Sequence, residues 1–200
     1  FHTLYKELLN FCTVDLSAFY FDIRKDALYC DNLNSEKRKS CITTLNILLD
    51  CLLKWFAPIL SFTTEEIYSL VSENSNDSIH LKKFIKTPEN WQNKNLNEKW
   101  EKLKKIRDVA NISIEEKRAN KLIGSSLESN IKIKLKKDLY NIAKDFDFAE
   151  LCITSAAEVL LDNNLDEEIN VETSKAEGNK CNVCWKIRKS KCERHGCFLN

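Results

Sequence analysis

Three glycines and two prolines are the only residues of their kind in 200 positions. A chain so poor in turn-formers folds mainly into long helices, because each tight reversal of a β architecture asks for a residue that tolerates positive φ or comes with φ already fixed. Apolar spacing agrees. Leu4, Leu8, Phe11, Val14, Ala18 and Phe19 recur at near-helical intervals, so residues 2 to about 26 are expected to be one helix. Asp31 to Ser35 is a turn with Ser35 as N-cap, and Cys41, Leu45, Leu48, Leu49, Leu52 and Phe56 mark a second long helix that stops before Pro58. Thr63 with Glu66 forms a capping box for a third helix through Ile67, Leu70 and Val71. Three helices with broad apolar faces and short connections make a bundle.

Beyond a polar loop at 72–78, residues 79–93 carry Pro88 and Trp91 and are expected to be extended or irregular. Leu96, Trp100, Leu103, Ile106, Ala110 and Ile114 then set another long helix, to about Leu122, which Gly124-Ser125-Ser126 breaks. Asn130 to Leu135 alternates apolar and basic residues as a half-buried strand does. A short helix over Asp138–Phe146 and a second strand over Ala149–Ser155 complete a small α+β unit. The stretch from Asp162 to Glu177 is expected as an acidic linker or a lone strand around Ile169 and Val171. The expected organisation is therefore mainly α. A helical bundle spans 1–93, and a long helix with a small α+β junction subdomain spans 94–161. A linker at 162–179 and a terminal metal module at 180–200 follow.

The net charge of +1 conceals segregation. Residues 81–144 hold 17 Lys and Arg against 8 Asp and Glu, and residues 178–200 hold 6 against 1, whereas residues 145–177 hold 1 against 10. Two basic blocks around an acidic one point to a polyanion gripped at two places. No apolar run reaches the roughly 18 residues of a membrane span, since Asp50, Lys54 and Pro58 interrupt Leu45–Leu60. The sequence starts at Phe1 without a basic-then-apolar leader, so a fragment lacking an upstream part, with no signal peptide, is expected.

Nine cysteines invite a disulfide scaffold, but their distribution opposes it. Cys12, Cys30, Cys41, Cys51 and Cys152 stand among apolar neighbours, as buried free cysteines do, and the other four crowd the last twenty positions. An odd total with a terminal cluster fits a reducing cytoplasm and a metal site. Cys181-Asn182-Val183-Cys184 is a knuckle whose thiolates reach one zinc ion, and Cys192, His195 and Cys197 follow. Two ligand sets remain open: four cysteines (Cys181, Cys184, Cys192, Cys197), or the first three with His195. Lys180, Lys186, Arg188, Lys189 and Lys191 surround the thiols, where they favour thiolates and offer phosphate contacts. Trp185 beside this charge is a stacking surface for an unpaired base, or else a lid on a small core. A redox C-x-x-C is disfavoured because no βαβ thioredoxin pattern surrounds it. Catalytic constellations are missing: the isolated Gly124, Gly178 and Gly196 form no phosphate loop, and His2 and His80 stand beside no nucleophile.

The order of local motifs then matters. The stretch Asn10 to Cys30 (NFCTVDLSAFYFDIRKDALYC) resembles the opening of the anticodon-binding region of bacterial isoleucyl-tRNA synthetases. Trp55 to Ile67 (WFAPILSFTTEEI) is similar to the motif closing the second helix in the leucine, isoleucine, valine and methionine subgroup. Ile106-Arg107-Asp108, Lys121 to Glu128 and Lys180 to Trp185 follow in the same order, so the resemblance covers nearly the whole chain. It implies the C-terminal anticodon-recognition part of an isoleucine–tRNA ligase. Such an enzyme is cytoplasmic, acts in protein synthesis and is expected to be a monomer, with no DNA or membrane partner. Its ATP- and Mg2+-using catalytic domain and its editing domain would lie outside these residues, leaving the fragment inactive alone. The partner implied is the anticodon stem-loop of isoleucine tRNA, with one structural Zn2+. Trp185 would reach the anticodon, Lys186, Arg188 and Lys189 would contact phosphate or base edges, and Tyr20, Lys25 and Asp26 lie in the matching first-helix segment. The family's second C-x-x-C is here C-x4-C. The alternatives are the same region of a methionine or valine enzyme, and a zinc-stabilised helical interaction or scaffold module.

Overall fold

The computed structural model describes residues 2–73 and 76–194. The chain divides into two compact units, Phe1–Asn32 with Lys94–Asn200, and Leu33–Asn93.

The first unit opens with a helical stretch made of α1 (His2–Asn10), a wider π-wound segment (Phe11–Phe21) and α2 (Asp22–Cys30). This is four residues longer than the spacing predicted. The π-wound part has apolar residues all round its axis, so no stripe holds it to an α repeat, and only Leu16 is buried. α2 regains the stripe with Ile23, Ala27 and Cys30 buried. Its neighbour α5 (Lys94–Ala119) buries Leu103, Ile106, Ala110 and Ile114. That line of apolar residues lies over a three-stranded sheet.

The sheet has strand order β2-β1-β3, with β1 (Ser129–Leu135) parallel to β2 (Ala156–Leu161) and antiparallel to β3 (Ile169–Lys175). Ile131, Ile133 and Leu135 on the central strand are at most 1% exposed, so β1 runs through the core. Full burial of each such side chain contributes roughly 1.5–3 kcal/mol. Between β1 and β2 run α6 (Lys137–Ala143) and α7 (Phe148–Leu151), both packed on β2. Phe19, Trp100, Phe146 and Phe148 form a chain of edge-to-face rings beside the core.

Two expectations are corrected here. The second strand starts at Ala156, not Ala149, because the Asp147 carboxylate caps α7 through the Glu150 amide at 3.0 Å and turns Phe148, Leu151 and Cys152 inward with helical spacing. Residues 162–179 are not a plain linker. The expected alternative, a strand around Ile169 and Val171, is what forms: β3 is not alone but held by a full antiparallel ladder on β1, with Ile169 and Thr173 buried on one face.

The second unit consists of α3 (Glu36–Phe56), α4 (Ser61–Val71) and a 3-10 turn at Ile79–Leu81 around Leu53, Ala57 and Ile79. Ser35 caps α3 as expected, accepting from the Arg38 amide at 3.4 Å. The capping box on α4 does not form, because the helix begins two residues before Thr63. Glu65 instead accepts from the Ser78 hydroxyl and the Ile79 amide at 2.9 and 3.0 Å, fastening the 3-10 turn.

Candidate metal centre and an adjoining groove

Beyond β3 the chain forms a small hairpin. β4 (Asn179–Lys180) pairs antiparallel with β5 (Ile187–Arg188). Gly178 makes this possible: at φ 131°, a Cβ there would meet the Arg188 carbonyl oxygen at 2.3 Å. The turn between the strands is closed by two backbone bonds, Cys181 N–H to Lys186 C=O and Trp185 N–H to Cys181 C=O, each 3.0 Å. Trp185 takes φ 61°, the left-handed conformation that completes the tight loop.

The loop gathers thiols. The sulfurs of Cys181, Cys184 and Cys192 lie within 4.8 Å of one another, and Cys184 and Cys192 are 3.8 Å apart. Four sulfurs at the usual ~2.3 Å from zinc stand about 3.8 Å apart along a tetrahedral edge, so this spacing fits a thiolate metal site. Among the described residues no cysteine is tied up in a disulfide. Cys197 and His195, the two candidates for a fourth ligand, lie outside the described residues. Cys30 of α2 packs on Cys184 and Cys192, and burial together with the adjacent Asp26 carboxylate pushes its thiol up to about 11.

The hairpin is tied to the α+β body. Ser155 accepts from the Ile187 amide at 2.6 Å and donates to the Leu127 carbonyl. Glu128 accepts from the Gly124 amide at 2.9 Å and stands 3.8 Å from Lys180. The Lys121–Glu128 motif thus acts as a bracket under the knuckle. Arg107 has a comparable structural role, donating to the Leu151 carbonyl at 2.9 Å while stacking on Phe19.

Between α2 and the knuckle lies an apolar groove of about 410 Å³. Tyr29, Ile153 and Trp185 supply much of its wall and Lys25 its rim. Tyr29 is 81% and Trp185 59% exposed, an unusual exposure for two large rings facing one cleft. Lys180 sits over the indole at 5.9 Å. Its lining combines these apolar side chains with the charged Asp22, Lys25, Asp26, Glu150 and Lys186.

The family model of the anticodon-binding domain of tRNA ligase matches residues 1–135. The chain belongs to that family. Similar proteins are named isoleucine–tRNA ligase. The one from Pelagibacter ubique is 64% identical over 195 residues, 98% of this chain and 21% of its own length. Those of Agrobacterium fabrum and Rhodopseudomonas palustris are 43% and 40% identical, over 94% and 95% of this chain and 20% of their own lengths. The chain thus spans about a fifth of the length of the curated relatives it matches.

In this chain the three described candidate ligand thiols come together and Trp185 lines the groove. Lys186 also lines the groove but is buried, at 8% exposure. Arg188 and Lys189 do not line this groove but a separate, more polar cavity of the knuckle, and Lys189 pairs with Glu177 at 3.3 Å. Lys25 is exposed and pairs with Asp22 at 2.6 Å. Tyr20 is half-buried against Phe21 and does not line the groove. Sequence reasoning missed Tyr29, Cys30 and the partnership of Asp26 with Arg194. A signal for Tyr29 was available: Asp22, Lys25, Asp26 and Tyr29 share one face at helical spacing.

Proposed function

We propose that this chain reads the anticodon stem-loop of isoleucine tRNA as the C-terminal part of an isoleucine–tRNA ligase, with one structural zinc in the knuckle. The observation that carries the reading is three thiols within 4.8 Å of one another beside a groove lined by exposed Tyr29 and Trp185. Cys181, Cys184 and Cys192 would hold the ion, with Cys197 or His195 as fourth ligand, and zinc there would supply folding energy and no chemistry. An unpaired base enters the groove by stacking on the indole and phenol rings. Lys25 at the rim and Lys186 in the wall meet the base or its phosphate, while Arg188 and Lys189, outside the groove on the same knuckle, neutralise phosphates of the flanking loop. The basic block at 81–144 extends the grip along the stem.

The chemistry of charging, which consumes ATP with Mg2+, belongs to the part of the protein outside this chain. Reading the anticodon fixes the tRNA so that its acceptor end meets that distant centre, a positional contribution to rate. The setting is cytoplasmic translation, by a monomeric enzyme.

The test is binding to an isoleucine anticodon stem-loop beside one with a changed anticodon, with zinc and after chelation. Preference for the cognate loop that weakens on chelation, with a steep salt dependence, supports the reading. Equal binding of both loops, indifferent to zinc, overturns it.

A further inference from the structure

Helix α2 ends with an electrostatic demand that its own residues do not meet. It has no basic residue in its last turn, while Asp26 lies within one turn of its end and Asp31 is its C-cap. Carboxylates at a helix C-terminus oppose the macrodipole. The answering charge comes from the far end of the sequence. Arg194 donates from Nη1 to the Asp26 carboxylate at 2.5 Å, and from Nη2 and Nε to Asp31 Oδ1 at 2.7 and 3.2 Å. Its Nη2 also reaches the Asp26 carbonyl oxygen at 3.3 Å. The Arg194 side chain is about one-fifth exposed, so this is a partly desolvated fork with three acceptors.

Arg194 stands two residues beyond Cys192, whose sulfur lies 3.8 Å from that of Cys184. The same turn of α2 presents Cys30 to Cys184 and Cys192. We propose that Arg194 is the positioning residue that latches the metal knuckle to the last turn of α2. Through it, metal binding sets the order of that turn and the placement of Tyr29 across the groove from Trp185. The inference rests on the metal reading above. Ligation fixes Cys192, and with it the short chain segment from which Arg194 spans both carboxylates. Without the metal the fork has no fixed origin, and α2 is left with paired acids at its negative end. Lysine cannot replace it, since one ammonium does not bridge two carboxylates and a carbonyl in a plane.

The experiment uses the intact protein and the variants Arg194→Gln, Arg194→Lys, Asp26→Asn and the Asp26→Asn/Arg194→Gln double. Zinc content, the rate of zinc release to a chromogenic chelator, and amide exchange across residues 27–31 are measured. Every variant is expected to hold one zinc. Arg194→Gln should release it about tenfold faster, the scale on which groups supporting a metal's ligands act, and lose protection at 27–31. Arg194→Lys should fall between, and the double variant should match the single, because both break one network. Chelated wild type should lose the same protection as Arg194→Gln. Zinc-bound Arg194→Gln with unchanged exchange, additive effects in the double, or full α2 protection in chelated wild type overturns the latch while leaving the metal site standing. A wild-type protein that binds no zinc overturns the metal reading itself.

Discussion

Trp185 allows fold and function to be separated at one position, because its backbone and its ring have opposite energetic signs. The ring is 59% exposed, so its truncation removes little burial, and the Lys180 contact at 5.9 Å is worth about 0.5 kcal/mol at such a site. The backbone at φ 61° costs a side-chain-bearing residue roughly 1–2 kcal/mol. Glycine removes that cost but adds about 0.5–1 kcal/mol of unfolded-state entropy. Trp185→Gly should therefore be as stable as Trp185→Ala or more so, by up to about 1.5 kcal/mol, or roughly 3–6 °C in Tm for a chain of this size. Base stacking on an aromatic ring is worth about 1–3 kcal/mol, so both variants should lose roughly 5- to 150-fold in affinity for the anticodon stem-loop. The assay pairs thermal unfolding of the zinc-loaded protein with fluorescence-anisotropy titration of labelled stem-loop. Stem-loop affinity within twofold of wild type in both variants would refute the stacking role. A glycine variant clearly less stable than the alanine one would refute the reading of the backbone.

Other outcomes follow from the same structure. Phe148→Ala empties a site 1% exposed and should destabilise the first unit by about 3–5 kcal/mol in denaturant unfolding. Gly178→Ala places a Cβ 2.3 Å from the Arg188 carbonyl, where backbone must move, and should cost roughly 1–3 kcal/mol and slow zinc uptake, measured by metal titration. Burial pushes the Cys152 thiol up to about 12 from an ordinary 9.0, with Arg107 opposing the shift. Below pH 9 the thiol is neutral in both folded and unfolded chains and contributes no pH dependence. Between about 9 and 12 only the unfolded chain ionises, so stability should fall as pH rises, and Cys152→Ala should flatten that limb of the denaturation profile.

Much of the site was legible residue by residue. A two-residue gap between Cys181 and Cys184 is a local constraint, and the structure closes it with two backbone bonds inside the same turn. Ser35 capping α3 is similarly local. The misplaced second strand shows where local reading fails. Ala149 to Ser155 has a strand-like composition, but the Asp147 cap and the inward pull on Phe148, Leu151 and Cys152 make its first turn helical. For β3 the sequence left a linker and a lone strand around Ile169 and Val171 both open, and only pairing with β1 gives its acids an outer face and its backbone partners.

The sequence by itself determined the helical character, through scarce glycine and proline and through 3.6-residue apolar periodicity. It also determined the thiol knuckle, whose ligands start two residues apart. The tertiary structure decided which distant residues the knuckle meets. Tyr29 and Cys30 lie more than 150 positions before Trp185 and Cys184, and Arg194 reaches Asp26 across 168 positions. Periodicity assigns a residue to a helix face but not to the element that face will touch. That choice is made by the shared core of α2, α5 and the sheet, where burying Ile23 with Ile106, Ile133 and Leu151 brings the two ends of the chain together.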